Sequence, residues 1–172
     1  PIIMAGNGVI RNRASKQLVQ FAEQLNIAVA TTFMAKGVIP FSHKLSLGTV
    51  GLQAKDYVGC GFEKSDVIIC IGFDMVEFHP HIWHKYKDKK IIHIDMSAAE
   101  VDEHYILEAG VIGDIKTGLD AIAKQAKPYI GGFNDELRET IVTELNEHAN
   151  DTGFPVKPQK IIAPQQSPEI LP

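Results

Sequence analysis

The sequence predicts an α/β fold: a Rossmann-like, doubly wound parallel sheet of about five or six strands, followed by a C-terminal helix and a linker. Three observations predict it. Short apolar runs of strand length alternate with longer stretches whose apolar residues recur at helical spacing. The run Val67–Ile71 is continuously apolar, as expected of a strand buried on both faces. The first strand runs straight into Gly6-Asn7-Gly8, a glycine turn of the kind that joins a strand to a following helix.

Taken in order, Ile2–Ala5 is a buried-type strand that ends in this turn. Residues 14–25 follow as a helix, with Leu18, Phe21, Ala22 and Leu25 on one face. The β-branched run 27–32 reads as a second strand. A loop with Gly37 and Pro40 comes next, and a turn at residues 48–51 leads into a helix-like stretch at 53–60. Val67–Ile71 and residues 90–94 are strands, the latter ending in Asp95. Residues 98–105 read as a short helix and 109–112 as a last strand. Residues 115–125 form a helix with Ile115, Leu119, Ile122 and Ala123 on one side. From Asn134 to about His148 a polar helix rich in Glu is expected to lie solvated on the domain edge. Five prolines between Pro155 and Pro172 give the remainder linker composition. The expected organisation is one domain over residues 1–150 and a linker or tail over residues 151–172.

Composition narrows the function classes. The chain has 172 residues, 45% of them hydrophobic, enough for one substantial core. A net charge of -4 without basic clusters argues against nucleic acid or a membrane surface as partner. No apolar run approaches the ~20 residues that span a bilayer. The opening residues carry no basic stretch of the signal-peptide kind and read as a chain entered at a strand. Cys60 and Cys70 form no metal-ligand spacing, and Cys70 sits in an apolar run as a small core residue. A reduced, cytoplasmic setting is the expectation.

In an open α/β sheet, ligands sit outside the carboxyl ends of the strands. The candidate cleft therefore comprises Gly6, Asn7 and Gly8 after the first strand, with Thr31 and Thr32 after the second. Gly48 and Gly51 follow, then Gly72, Phe73 and Asp74 after Val67–Ile71, and Asp95 after 90–94. Two readings of the glycine turn stand: a contact to a nucleotide diphosphate, or a strand-to-helix turn that needs glycine for geometry alone. A dinucleotide fingerprint would place a third glycine where Arg11 stands, and an acid rather than Thr31-Thr32 at the end of the second strand. His79, His81 and His84 lie within six residues, but helical spacing unites only the last two. The expectation is a surface helix with Trp83 packed inward and no metal. No G-x-S-x-G elbow accompanies the Ser, His and Asp residues.

Several stretches together carry a family resemblance. Residues 25–40, the glycine-containing 45–51, 66–77 (Asp-Val-Ile-Ile-Cys-Ile-Gly-Phe-Asp-Met-Val-Glu), 90–95, 111–114 and 156–160 occur in an order and spacing that resemble the central domain of thiamine-diphosphate enzymes of the acetolactate synthase type. The resemblance covers about residues 1 to 162 and implies a sheet of the DHS-like NAD/FAD-binding type. It further implies flanking pyrimidine-binding and diphosphate-binding domains in the same parent, a homo-oligomeric parent, and thiamine diphosphate with Mg²⁺ held mainly by those domains. The family's catalytic glutamate belongs to the first domain and its metal-binding Gly-Asp-Gly…Asn motif to the third. Here Gly-Asp occurs only at Gly113-Asp114, followed by Ile115, so the isolated chain is expected to be inactive. Flavin-binding members carry Arg-Phe-Asp-Asp-Arg-like and Gly-Met-His-Gly-like loops where this chain has residues 72–77 and 51–54. The form found here resembles the flavin-free, catabolic type, so FAD is not expected. The parent reaction implied is condensation of two pyruvates to 2-acetolactate with loss of CO₂. The alternatives are a 2-keto-acid decarboxylase or pyruvate oxidase, a stand-alone FAD- or NAD-binding module, and a purely structural domain for oligomer contact.

Overall fold

A computed structural model describes residues 1–51, 58–131 and 133–151. Six strands form one sheet: β1 (Ile2–Ala5), β2 (Val29–Thr32), β3 (Ser46–Val50), β4 (Val67–Ile71), β5 (Lys90–Asp95) and β6 (Leu107–Ile112). All neighbours are parallel, in the order β3-β2-β1-β4-β5-β6. This is the doubly wound order of a Rossmann sheet, with its switch point between β1 and β4.

Period-two alternation divides the core between the two faces. Ile3 and Ala5 of β1 face one way, with Val29, Ile69, Ile71 and Ile94. Ile2 and Met4 face the other, with Ala28, Ala30, Ile68, Cys70 and Ile91. After the short helix α1 (Asn7–Arg11), the first face is covered by α2 (Ser15–Leu25) and α5 (Ile115–Ala123). Helix α2 buries Leu18, Phe21, Ala22 and Leu25, the stripe its spacing predicts, and ends where Asn26 turns left-handed at φ 54°. Helix α5 starts at Asp114, whose Oδ1 accepts from the Thr117 N–H at 2.9 Å. Those bonds to Thr117 hold the Asp114 carboxyl below its ordinary pKa.

The second face is covered by α3 (Gly59–Lys64), α4 (Pro80–Trp83) and α6 (Phe133–Asp151). The last of these corrects the expectation of a merely solvated helix. Asn134, Leu137 and Ile141, spaced i, i+3, i+7, are all buried, while the acids between them face water. Asn134 Oδ1 accepts from the Ala28 N–H at 3.2 Å and its Nδ2 donates to Asn26 O at 2.7 Å. These bonds fasten α6 to the start of β2.

Three further expectations are corrected. Residues 46–50 form a strand, so Gly48 lies inside β3 rather than in a turn; the pairing slips between Val29 and Ala30. Residues 98–105 form no helix: Asp102 closes a turn by accepting from the His104 N–H at 2.8 Å, and this drops Tyr105 into the core at 1% exposure. Strand β2 begins at Val29, two residues later than expected, because the Ala28 N–H is committed to Asn134. Of the helix expected over 53–60, residues 53–57 lie outside the described residues, as does the expected linker beyond Asp151. No described helix is long and apolar enough to cross a membrane.

Candidate functional site

At the carboxyl ends of the strands, over the β1/β4 switch point, lies a cleft of about 710 Å³. Its inner wall is a contact between the start of helix α1, at Gly6 to Gly8, and the turn at Gly72. The Gly6 N–H donates to Ile71 O (2.9 Å) and the Gly8 N–H to Gly72 O (2.8 Å). A Cβ on Gly8 would lie 2.6 Å from Gly72 Cα, and one on Gly72 would lie 2.5 Å from the Val9 amide nitrogen. Glycine is therefore required by contact on both sides, and the Gly6 and Gly8 amides are used up inside the protein.

The next amide, that of Asn7, meets a carboxylate. Its N–H donates to Glu77 Oε1 at 3.0 Å and Oε2 at 3.2 Å. The Thr32 hydroxyl, on a fully buried residue, donates to Glu77 Oε2. Glu77 thus ties the end of β1 to the end of β2. Its loop is wound to deliver it: Asp74 Oδ1 accepts from the Val76 N–H at 3.0 Å, and the Glu77 N–H donates to Asp74 O at 3.0 Å. In a dinucleotide-binding sheet the amide donors of the first turn face a diphosphate.

The floor carries a second polar arrangement. Cys70 and His93 are register partners on β4 and β5, and both are buried. The Tyr105 hydroxyl stands 2.9 Å from His93 Nδ1. Burial holds the His93 pKa below its ordinary value, opposed by the charge of Asp95 and by a bond to the Ser97 backbone. Burial pushes the Cys70 thiol up to about 12 and the Tyr105 phenol above its ordinary value. All three are neutral at pH 7, so none is a ready nucleophile.

Of the residues the sequence singled out, Asn7, Gly8, Gly72, Phe73, Asp74 and Asp95 come together on the cleft wall. Gly6 and Thr32 lie directly behind it. Thr31 does not reach the cleft: its hydroxyl contacts Gly48 O (3.3 Å) and Thr49 Oγ1 (3.2 Å), joining β2 to β3. Gly48 sits within β3, and Gly51 backs the Glu77 loop, where a Cβ would lie 3.3 Å from Glu77 O. Sequence reasoning missed the clasp made by Glu77, the His93–Tyr105 floor, and the side of the mouth formed by Phe33 and Met34. Among the described residues, the acids on the wall, Asp74, Glu77, Asp95 and Glu100, outnumber the single cation Arg11.

The histidine-rich stretch is divided by the fold. Trp83 is buried and donates to Phe78 O at 2.9 Å. His84 is turned inward; its Nδ1 faces His104 O at 2.7 Å and its Nε2 accepts from the Lys89 N–H at 3.0 Å. His79 and His81 remain at the surface, in contact with each other. Among the described residues, no three His, Cys, Asp or Glu side chains are grouped to hold a metal ion.

Comparison with known proteins agrees with this architecture. Residues 1–122 match the family model described as the thiamine pyrophosphate enzyme, central domain. The chain is 33% identical to the probable acetolactate synthase large subunit of Methanococcus aeolicus, over 94% of this chain and 29% of that protein. It is 32% identical to the glyoxylate carboligase of Escherichia coli O157:H7, again over 94% of this chain and 29% of that protein. With the acetolactate synthase large subunit of Corynebacterium glutamicum it shares 29% identity over 99% of its length and 28% of the relative's. The chain thus spans under a third of the length of these curated relatives. A matching family model over residues 1–122, on a sheet with the Rossmann strand order and a switch-point cleft, places the chain in the family of thiamine pyrophosphate enzyme central domains.

Proposed function

We propose that this chain is the flavin-free central scaffold domain of an acetolactate synthase-type enzyme. The parent condenses two pyruvates into 2-acetolactate and releases one CO₂. The observation that supports the flavin-free part is the Glu77 clasp. Its carboxylate already uses the Asn7 amide and the Thr32 hydroxyl, while the Gly8 amide is bonded to Gly72. A flavin diphosphate entering there would have to displace an internal anion and face three more acids. Each like-charge approach costs on the order of 1 kcal/mol even when solvated. The residues present do not fit a dinucleotide.

Nor do they fit thiamine diphosphate and Mg²⁺. The activating glutamate and the metal motif implied by the resemblance have no counterpart here, and the described acids form no metal-binding group. On this reading the cofactor belongs to pyrimidine-binding and diphosphate-binding domains of the same parent, in a homo-oligomeric, cytoplasmic enzyme. Phe33, Met34, Met96 and Val76 stand 41%, 47%, 48% and 85% exposed around the cleft mouth, an apolar rim suited to carry a neighbouring domain. The names of the relatives support the acetolactate reading, and the glyoxylate carboligase among them keeps a different 2-keto acid as the alternative. Titration with FAD is the test. A colourless preparation with at most millimolar FAD affinity is expected; a yellow preparation, or micromolar binding, would move the parent to the flavin-dependent type.

A further inference from the structure

We infer that Glu77 is an in-built stand-in for a ligand phosphate, and that its carboxylate, together with the acids beside it, denies the switch-point cleft to nucleoside diphosphates. The inference rests on the flavin-free reading above and deepens it by assigning the exclusion to named residues.

Two donors from separate elements converge on Glu77. One donor is a backbone amide at the end of β1, the other a side-chain hydroxyl at the end of β2, and both point at one carboxylate. The acid reaches them from a third place, the loop after β4, seventy residues further along the chain than Asn7. That loop is braced to hold it: Asp74 closes the turn before it, and Gly51 leaves room for its backbone. Thr32 is 0% exposed, so without Glu77 its hydroxyl would be a buried donor aimed into the cleft with its partner gone. The cleft is not filled by the clasp. About 710 Å³ remains, within the ~300–1,000 Å³ usual for small-molecule sites. Shape therefore does not exclude a nucleotide; the internal anion and the acids beside it do.

The probe is ADP, the part that FAD and NAD have in common, titrated by calorimetry in the presence of EDTA. Glu77→Gln keeps the shape of the clasp and removes its charge. Glu77→Ala empties it. The wild-type chain is expected to bind ADP no tighter than about 1 mM. Glu77→Gln should gain severalfold and Glu77→Ala on the order of tenfold. Adding Thr32→Val to Glu77→Ala should cancel most of the gain, because one of the two donors is lost. Thermal melts and circular dichroism establish that each variant is folded; if Glu77→Ala does not fold, Glu77→Gln decides alone. Folded variants that bind ADP no better than wild type would overturn the role of Glu77 while leaving the flavin-free reading intact. Tight ADP binding by the wild type would overturn both.

Discussion

At Gly8 an added methyl group would sit 2.6 Å from Gly72 Cα and 2.9 Å from Gly72 O. Both neighbours are backbone, so no rotamer change relieves the clash. Gly8→Ala should therefore cost about 2 kcal/mol or more, read as a lower urea midpoint with unchanged slope. Gly37, whose added Cβ meets nothing within 4 Å, is a comparison site, although its φ of 99° carries its own penalty. His93 yields a pH prediction. Its Nδ1 can accept from the Tyr105 hydroxyl only in the neutral ring, and burial holds its folded pKa below the ordinary 6.5. The unfolded chain therefore binds this proton first as pH falls, and stability rises with pH across that window. The contribution is present in full above about pH 6.5, is lost as pH falls from there to the lowered folded value, and is constant below it. Urea unfolding at pH 7 and pH 5 should show a smaller pH-dependent loss in His93→Asn than in wild type. Equal losses would mean that other groups carry the dependence.

At the scale of elements, α6 is the sharpest case. Its stripe of Asn134, Leu137 and Ile141 sits against the sheet, and Arg138 donates from Nη1 to His43 O (2.6 Å) and Ser46 O (2.9 Å), fastening the loop before β3. Leu137→Ala should cost about 3 kcal/mol. Asn134→Ala should cost about 1–3 kcal/mol because the buried Ala28 amide loses its acceptor. Val142→Ala, at a position 47% exposed, should stay within about 0.5 kcal/mol. Chemical denaturation of the three variants checks this order. The same helix marks how far the sequence could be read. Helix α2 and strands β1 and β4 were legible because their apolar residues follow one period without interruption. Helix α6 reads as solvated from sequence because its stripe includes a polar Asn134 and is diluted by Glu and Asp. Strand β3 was read as a turn because Gly48 and Thr49 break its apolar run. Residues 98–105 were read as helical because nothing local announces that Tyr105 must reach His93. The cleft followed the same division. Asn7, Gly8, Gly72, Asp74 and Asp95 were legible because the fold puts strand ends together. The pairing of Asn7 and Thr32 with Glu77 was not, since it joins residues 70 and 45 positions apart that carry no local signal of each other.

In the whole molecule a closed core lies under an open, apolar-rimmed cleft. The exposed rim of Phe33, Met34, Val76 and Met96 should give the isolated chain only weak self-association. Sedimentation at micromolar concentration should find a predominantly monomeric species; a stable tetramer would mean that this domain alone supplies the main oligomer contact. On the proposed reading the chain is a scaffold without the chemistry of its family. Calorimetric titration of the purified 172-residue chain with thiamine diphosphate and Mg²⁺, followed by a pyruvate-to-acetolactate assay on the same sample, decides between that reading and an active domain. The predicted result is no binding tighter than millimolar and no acetolactate above the protein-free control. Micromolar binding, or acetolactate formed in proportion to the protein added, would contradict it.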